Sequence, residues 1–247
     1  MKNIIFILLT LLLSSINLQA KIYAVVVGVD KYDGSVSNLS SAVTDAERMY
    51  RFLKADKQNT VVLLTDKKAT KQNILYAMEK TFAKAEEADM ILFYFSGHGD
   101  KGMFCPTNVK FGRMGLLHTE IRNAFKASNA TNKLCVADAC YSGSIVNKSK
   151  SNSYPTSQVE SSKENVVIFM SSRDDELSLE SYLTNGGIFT RFFVKGMQGA
   201  ADLNKDRGVS LHELYTYVRK HVRHGTDKQQ TPIMYGNFNK DAIISYY

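Results

Sequence analysis

Cysteine is scarce in this sequence. Only Cys105, Cys135 and Cys140 occur among 247 residues. None stands near residue 20, which argues against a lipid-modified amino terminus, and no Cys/His spacing resembles a zinc site. An odd count leaves at least one thiol free, even where an oxidising compartment would let Cys105 and Cys135 pair. Cys135 falls inside an apolar run and reads as a small buried hydrophobe. Basic tracts are also missing. Lys and Arg are scattered among acids, so the formal charge of +7 describes a soluble basic surface and excludes an obvious nucleic-acid face. Residues 101–119 contain no Asp or Glu, and no internal repeat is visible.

Residues 1–20 carry no charge except Lys2. An apolar run from Ile4 to Leu13 and then Leu18-Gln19-Ala20 describe a secretory signal peptide cleaved after Ala20. The alternative is an uncleaved membrane anchor, but the run is short for a span. Cleavage would leave residues 21–247 as one exported domain, periplasmic or extracellular, with no stable membrane association.

Beyond residue 20, strand and helix patterns alternate. Continuous β-branched or apolar runs predict strands over Ile22–Val29, Thr60–Leu64, Asp89–Ser96, Lys133–Asp138, Asn165–Ser171 and Pro232–Tyr235. Helical spacing predicts Ser41–Lys54, Thr70–Ala85, His118–Ala127, Ile188–Met197 and Leu211–His221. Such alternation implies an α/β fold: an open, mostly parallel sheet with helices on both faces. Residues 147–164 hold six Ser, three Lys and one Pro, and are expected to form a mobile, exposed linker.

Two strand ends carry the chemistry. One run, Phe93-Tyr94-Phe95-Ser96-Gly97-His98-Gly99-Asp100, ends on a histidine between glycines. The other, Leu134-Cys135-Val136-Ala137-Asp138-Ala139-Cys140-Tyr141-Ser142-Gly143, ends on a cysteine before a small-residue turn. The carboxyl ends of neighbouring parallel strands meet at one crevice. That places an imidazole beside a thiol, the minimum for nucleophilic catalysis. Cys140 as thiolate would attack a peptide carbonyl, and His98 would raise the thiolate fraction or protonate the leaving amine. The backbone N–H groups of Gly99 and Cys140 are candidates for holding the developing oxyanion. The other histidines, His118, His212, His221 and His224, are expected at the surface.

These two runs resemble the histidine and cysteine motifs of the caspase-like cysteine peptidases, which include caspases, metacaspases and bacterial relatives. Gly28-Val29-Asp30-Lys31-Tyr32, Asp45-Ala46, Ile188-Phe189-Thr190 and Gln230-Thr231-Pro232 fit the same family, so the likeness runs from about residue 22 to 238. It implies a caspase-like three-layer sandwich with a six-stranded, mostly parallel sheet, acting on peptide or protein substrates without a cofactor. Caspases hold a substrate aspartate with arginines and a glutamine two residues before the nucleophile. Here that position is Asp138, which would instead attract Lys or Arg, as in metacaspases. By the same resemblance Asp45 and Ser96 would line the pocket, and Glu180, in Ser178-Leu179-Glu180, would add a further acid. Asp45 and Glu180 also read as ordinary helix-terminal and surface acids. The family's cleavage between two halves of the domain would fall in the 147–164 linker, where Lys148, Lys150 and Lys163 lie.

The acids that bind calcium in many metacaspases are missing here. Asp202, Asn204, Asp206 and Glu213 imitate part of an EF-hand loop, but Gly208 falls one place late and Arg207 takes the tight-turn position. A polar loop capping a helix at Ser210 is the simpler reading, and no metal is expected. Two non-enzymatic alternatives are a caspase-like scaffold with a degenerate site and a calcium-responsive module built on the Asp202 loop.

Overall fold

A computed structural model describes residues 20–34, 36–110, 114–139, 165–172, 180–181 and 186–247. The expected linker at 147–164, the segment 1–19 and Cys140 lie outside them. Six strands form the central sheet: β1 (Ile22–Gly28), β2 (Thr60–Thr65), β3 (Met90–Ser96), β4 (Asn132–Asp138), β5 (Asn165–Met170) and β6 (Ile233–Asn237). Their order is β6-β5-β4-β3-β1-β2. Every neighbouring pair is parallel except β5 with β6, which is antiparallel. The fold is therefore the mostly parallel α/β sandwich that the alternating pattern implies.

The period-2 alternation of strand side chains divides the core. Val25, Val27, Ile91, Phe93, Phe95, Cys135 and Ala137 face one layer, formed by α2 (Lys71–Phe82) and α3 (His118–Lys126). Ala24, Val26, Leu92, Tyr94, Leu134 and Val136 face the other, formed by α1 (Ala42–Ala55), α4 (Ile188–Lys195) and α5 (Leu211–Gly225). Both faces are covered, which is why the strands read as unbroken apolar runs. Phe169 of β5 meets Phe189 and Phe193 of α4 edge-on at 5.5 and 5.3 Å. Each such pair contributes about 0.5–1.5 kcal/mol beyond area burial.

Helix starts use both local and distant caps. Thr70 accepts from the Asn73 N–H to cap α2, as its position predicts. The start of α1 has no cap from Ser41. Instead Asp30, just past β1, accepts from the N–H groups of Ala42 and Val43 at 2.8 and 3.3 Å. This ties the β1 end to the α1 start and fixes where Asp45 stands. Lys133 is 1% exposed, and its Nζ donates to the Phe125 and Ser128 carbonyls, placing a cation at the carboxyl end of α3.

Short pairings escaped the sequence pattern. Gly99–Asp100, Met103–Phe104 and Leu116–Leu117 form a small antiparallel sheet beyond β3. Gly186–Gly187 pairs with Glu180–Ser181 before α4, and Gly208–Ser210 pairs with Ile243–Tyr246. Among the described residues no helix is long and apolar enough to cross a membrane.

Candidate active site at the carboxyl edge of the sheet

Gly28, Ser96 and Asp138 stand in one register row across β1, β3 and β4. His98 comes two residues after Ser96, and Cys140 two residues after Asp138. Ala139, buried, is the last described residue before Cys140.

His98 is held at both backbone groups and on its ring. Its N–H donates to the Tyr32 hydroxyl at 2.8 Å, and its carbonyl accepts from the Cys105 N–H at 2.9 Å. The Tyr32 and His98 rings lie 5.1 Å apart. Burial pushes the Tyr32 phenol far above its ordinary value, against the opposing effect of the His98 N–H, so it stays protonated. Gly97 turns the chain with φ +154°, and a Cβ there would meet the Tyr32 hydroxyl at 2.8 Å. Only glycine permits both the conformation and that approach.

On the ring, His98 Nε2 lies 2.9 Å from the Ser37 carbonyl oxygen and 3.3 Å from its hydroxyl. A carbonyl only accepts, so Nε2 carries the proton in this bond and Nδ1 is left as the basic nitrogen of the neutral ring. Gly99 follows directly and opens the small sheet, pairing with Phe104.

The acids are gathered under the same edge. Asp45 and Asp138 are 2% and 7% exposed. A Cβ on Gly187 would lie 2.6 Å from an Oδ2 of each, so a glycine backbone is all that fits between the two carboxylates. Gly187 N–H donates to Asp45 Oδ2 at 2.7 Å, and Arg48 pairs with Asp45 Oδ1 at 3.0 Å. Thr190 Oγ1 donates to Asp138 Oδ2 at 2.8 Å and lies 2.6 Å from the Tyr94 hydroxyl. Ser96, 3% exposed, is Asp138's neighbour across the sheet. Asp45, Ser96 and Asp138 are therefore brought together. The Glu180 backbone pairs with Gly187, while its side chain lies outside the described residues. Sequence reasoning placed Tyr32 and Thr190 only within family-like runs, without a role, and missed Ser37, Arg48 and Gly187 as parts of this constellation.

The remaining thiols are not part of it, although the Cys105 backbone N–H holds the His98 carbonyl. Cys105 and Cys135 are both free and buried, so the open question of a disulfide between them is answered by two thiols. Burial pushes Cys105 up to about 11, with help from the Asp100 charge, and Cys135 up to about 12. Thiols held so high are poor nucleophiles.

One histidine expectation needs correction. His118 is 3% exposed and packs on Phe104 at 4.7 Å, because the start of α3 is folded under the small sheet. His221 is half-buried against Tyr217 and Phe192. His212 and His224 are exposed. The Asp202 loop satisfies its own carboxylates. Asp202 accepts from the Lys205 and Arg207 N–H groups and the Tyr247 hydroxyl, and Asp206 accepts from Gly208 N–H. Glu213 and Ser210 form a capping box at the start of α5. Among the described residues no cluster of three or more His, Cys, Asp or Glu could hold a metal.

Comparison with known proteins agrees with this arrangement. The model of the caspase domain family matches residues 21–243. A 92-residue stretch is 33% identical to Metacaspase-1 of Debaryomyces hansenii, covering 34% of this chain and 21% of the relative, so the match spans about a fifth of that protein's length. Among solved structures, Caspase-1 from Spodoptera frugiperda superposes with a TM-score of 0.66 at 15% identity, over 92% of this chain and 89% of that one. A protein from Geobacter sulfurreducens gives 0.64 at 20% identity, over 90% and 95%. These two likenesses speak for the fold alone. Because the family match takes in almost every residue after the first twenty, the chain belongs to the caspase domain family of cysteine peptidases.

Proposed function

We propose that the protein is an exported cysteine endopeptidase that hydrolyses peptide bonds after Arg or Lys, with Cys140 as nucleophile and His98 as its base. The thiol attacks the carbonyl carbon to form a thioester, the amine leaves with a proton from His98, and water then releases the acid. Gly99 and Cys140 N–H groups are the candidate oxyanion donors. Export follows from the cleavable segment read at residues 1–20, and self-cleavage at Lys148, Lys150 or Lys163 would separate the two halves of the domain.

The observation that carries this reading is the pair of buried carboxylates on either side of Gly187: Asp45, and Asp138 two residues before the cysteine. Arg48 is paired with Asp45, so among the described residues the two acids and this guanidinium carry an excess of one negative charge. That matches one substrate cation and repels an acidic side chain. The anchored His98 ring, with Nε2 bound to a carbonyl, supports the base role of Nδ1.

The test is a panel of fluorogenic peptides that differ only in the residue before the scissile bond, cleaved by the full chain. Arg and Lys are expected to lead, and a preference for Asp refutes the assignment. An electrophilic Arg-containing probe should label Cys140; failure to react points to the scaffold alternative. Intact mass before and after incubation, beside Cys140→Ala, reads self-cleavage.

A further inference from the structure

A short file of hydroxyls reaches from Asp138 into the core. Thr190 is the third residue of α4, wholly buried, and its Oγ1 lies 2.8 Å from Asp138 Oδ2 and 2.6 Å from the Tyr94 hydroxyl. Tyr94 is also wholly buried, in the middle of β3. The direction of the file is fixed by proton count. An ionised carboxylate has only acceptors and each hydroxyl has one proton, so Thr190 donates to Asp138 and Tyr94 must donate to Thr190. Burial keeps the Tyr94 phenol well above its ordinary value, with the Asp45 and Asp138 charges acting in the same direction, so the donor at the far end does not lose its proton.

We propose that Thr190, backed by Tyr94, is a positioning residue that orients Asp138 and keeps it charged for a basic substrate side chain. This rests on the reading of Asp138 as the residue that meets Arg or Lys. The physical need is plain. A carboxylate that is 7% exposed is penalised for its charge unless donors compensate. Among the described residues, the groups around it include Asp45 and Arg48 of α1, Tyr94 and Ser96 of β3, and Thr190 and the Gly187 backbone at the start of α4. Asp45 is a like charge and opposes ionisation, while Arg48 is committed to Asp45. Thr190 is a neutral donor to Asp138 and so favours its ionised form. The amino end of α4 adds a positive dipole at the same place. A valine would fill the same space but leave the carboxylate short of one donor and take the Thr190 oxygen away from the Tyr94 hydroxyl.

The experiment compares Thr190→Val with Thr190→Ser in the full chain. With an Arg peptide at pH 7, Thr190→Val is expected to raise KM about tenfold while kcat stays within about twofold. The acid limb of kcat/KM should move up by about one pH unit, because Asp138 holds its proton to higher pH. Thr190→Ser, which keeps the hydroxyl, should restore both. An unchanged KM and acid limb in Thr190→Val overturn the proposal. A second readout needs no cleavage: carbon-13 NMR titration of the Asp138 carboxyl in the Cys140→Ala background. A raised midpoint with Thr190→Val, reversed by Thr190→Ser, upholds the positioning role even if the peptide panel rejects basic specificity. An unmoved midpoint overturns the role even if that panel supports it. Should Thr190→Val fail to fold, Tyr94→Phe in the same titration reads the file one step back, with a smaller upward shift expected and no shift counting against the proposal.

Discussion

The Ser37 carbonyl oxygen and His98 Nε2 lie 2.9 Å apart, with the ring as donor. This backbone acceptor serves as the orienting third member that a nucleophile–base pair needs. Together with the Tyr32 hydroxyl under the His98 N–H, it leaves the ring little freedom. Changing Tyr32 to Phe removes one of these two restraints and strands an N–H at a half-buried position. Such a loss costs about 1–3 kcal/mol. In the proposed mechanism kcat should fall about tenfold with KM nearly unchanged. Steady-state kinetics on an Arg peptide check this, and an unaffected kcat would show that the ring is held without Tyr32.

Gly187 separates the two buried acids. Adding one methyl there drives carbon to 2.6 Å from an oxygen of both Asp45 and Asp138. Neither can retreat cheaply, since Asp45 is bonded to Arg48 and Asp138 to Thr190. Overpacking of this kind costs about 1–3 kcal/mol. Gly187→Ala should therefore lower the melting temperature by several degrees. It should also cut kcat/KM for Arg peptides more than tenfold, because both carboxylates move. Calorimetry and peptide kinetics on the same sample read the two effects, and wild-type values in both would mean the wedge is absent.

Much of the fold was written in local pattern. The runs beginning at Ile22, Asp89 and Lys133 announce strands because both faces of each are covered, and Thr70 announces the start of α2. The row joining Ser96 to Asp138 follows from parallel strands of similar length ending in small residues. What stayed hidden is long-range or chemically anonymous. Ser37 acts through a carbonyl that any residue would offer. Asp30 caps α1 from twelve positions away. Thr190, quoted only within Ile188-Phe189-Thr190, shows no role until Asp138 is folded against it. His118 reads as a surface residue because the two-residue strands that bury it are too short to leave a period.

Two thiols should be silent to alkylation. Burial holds Cys105 at about 11 and Cys135 at about 12. At pH 8 only about one molecule in a thousand, or fewer, carries either as thiolate. Iodoacetamide on the native protein should therefore modify a single cysteine, and Cys140→Ala should take up none within the same time. Peptide mapping by mass spectrometry identifies the site. Rapid modification at Cys105 would show that its cover opens readily.

The Glu213 cap predicts a pH-dependent stability with a defined sign. Burial alone would raise its carboxyl, but bonds from the Ser210 N–H, the Ser210 hydroxyl and the Leu203 N–H outweigh it and lower the value below 4.5. A depressed folded value means the charge stabilises the native state above about pH 4.5, and the contribution fades as pH falls through the lowered value. Glu213→Gln keeps the shape but accepts with one oxygen where the carboxylate uses two. It should cost about 1 kcal/mol near neutral pH, the usual scale of a helix cap. Urea unfolding at pH 7 and pH 3 distinguishes charge from shape: the difference between the two proteins should narrow on going to pH 3, because protonation removes the charge that distinguishes them. An equal penalty at both pH values would assign the effect to packing of the glutamine and not to the carboxylate that joins the Asp202 loop to α5.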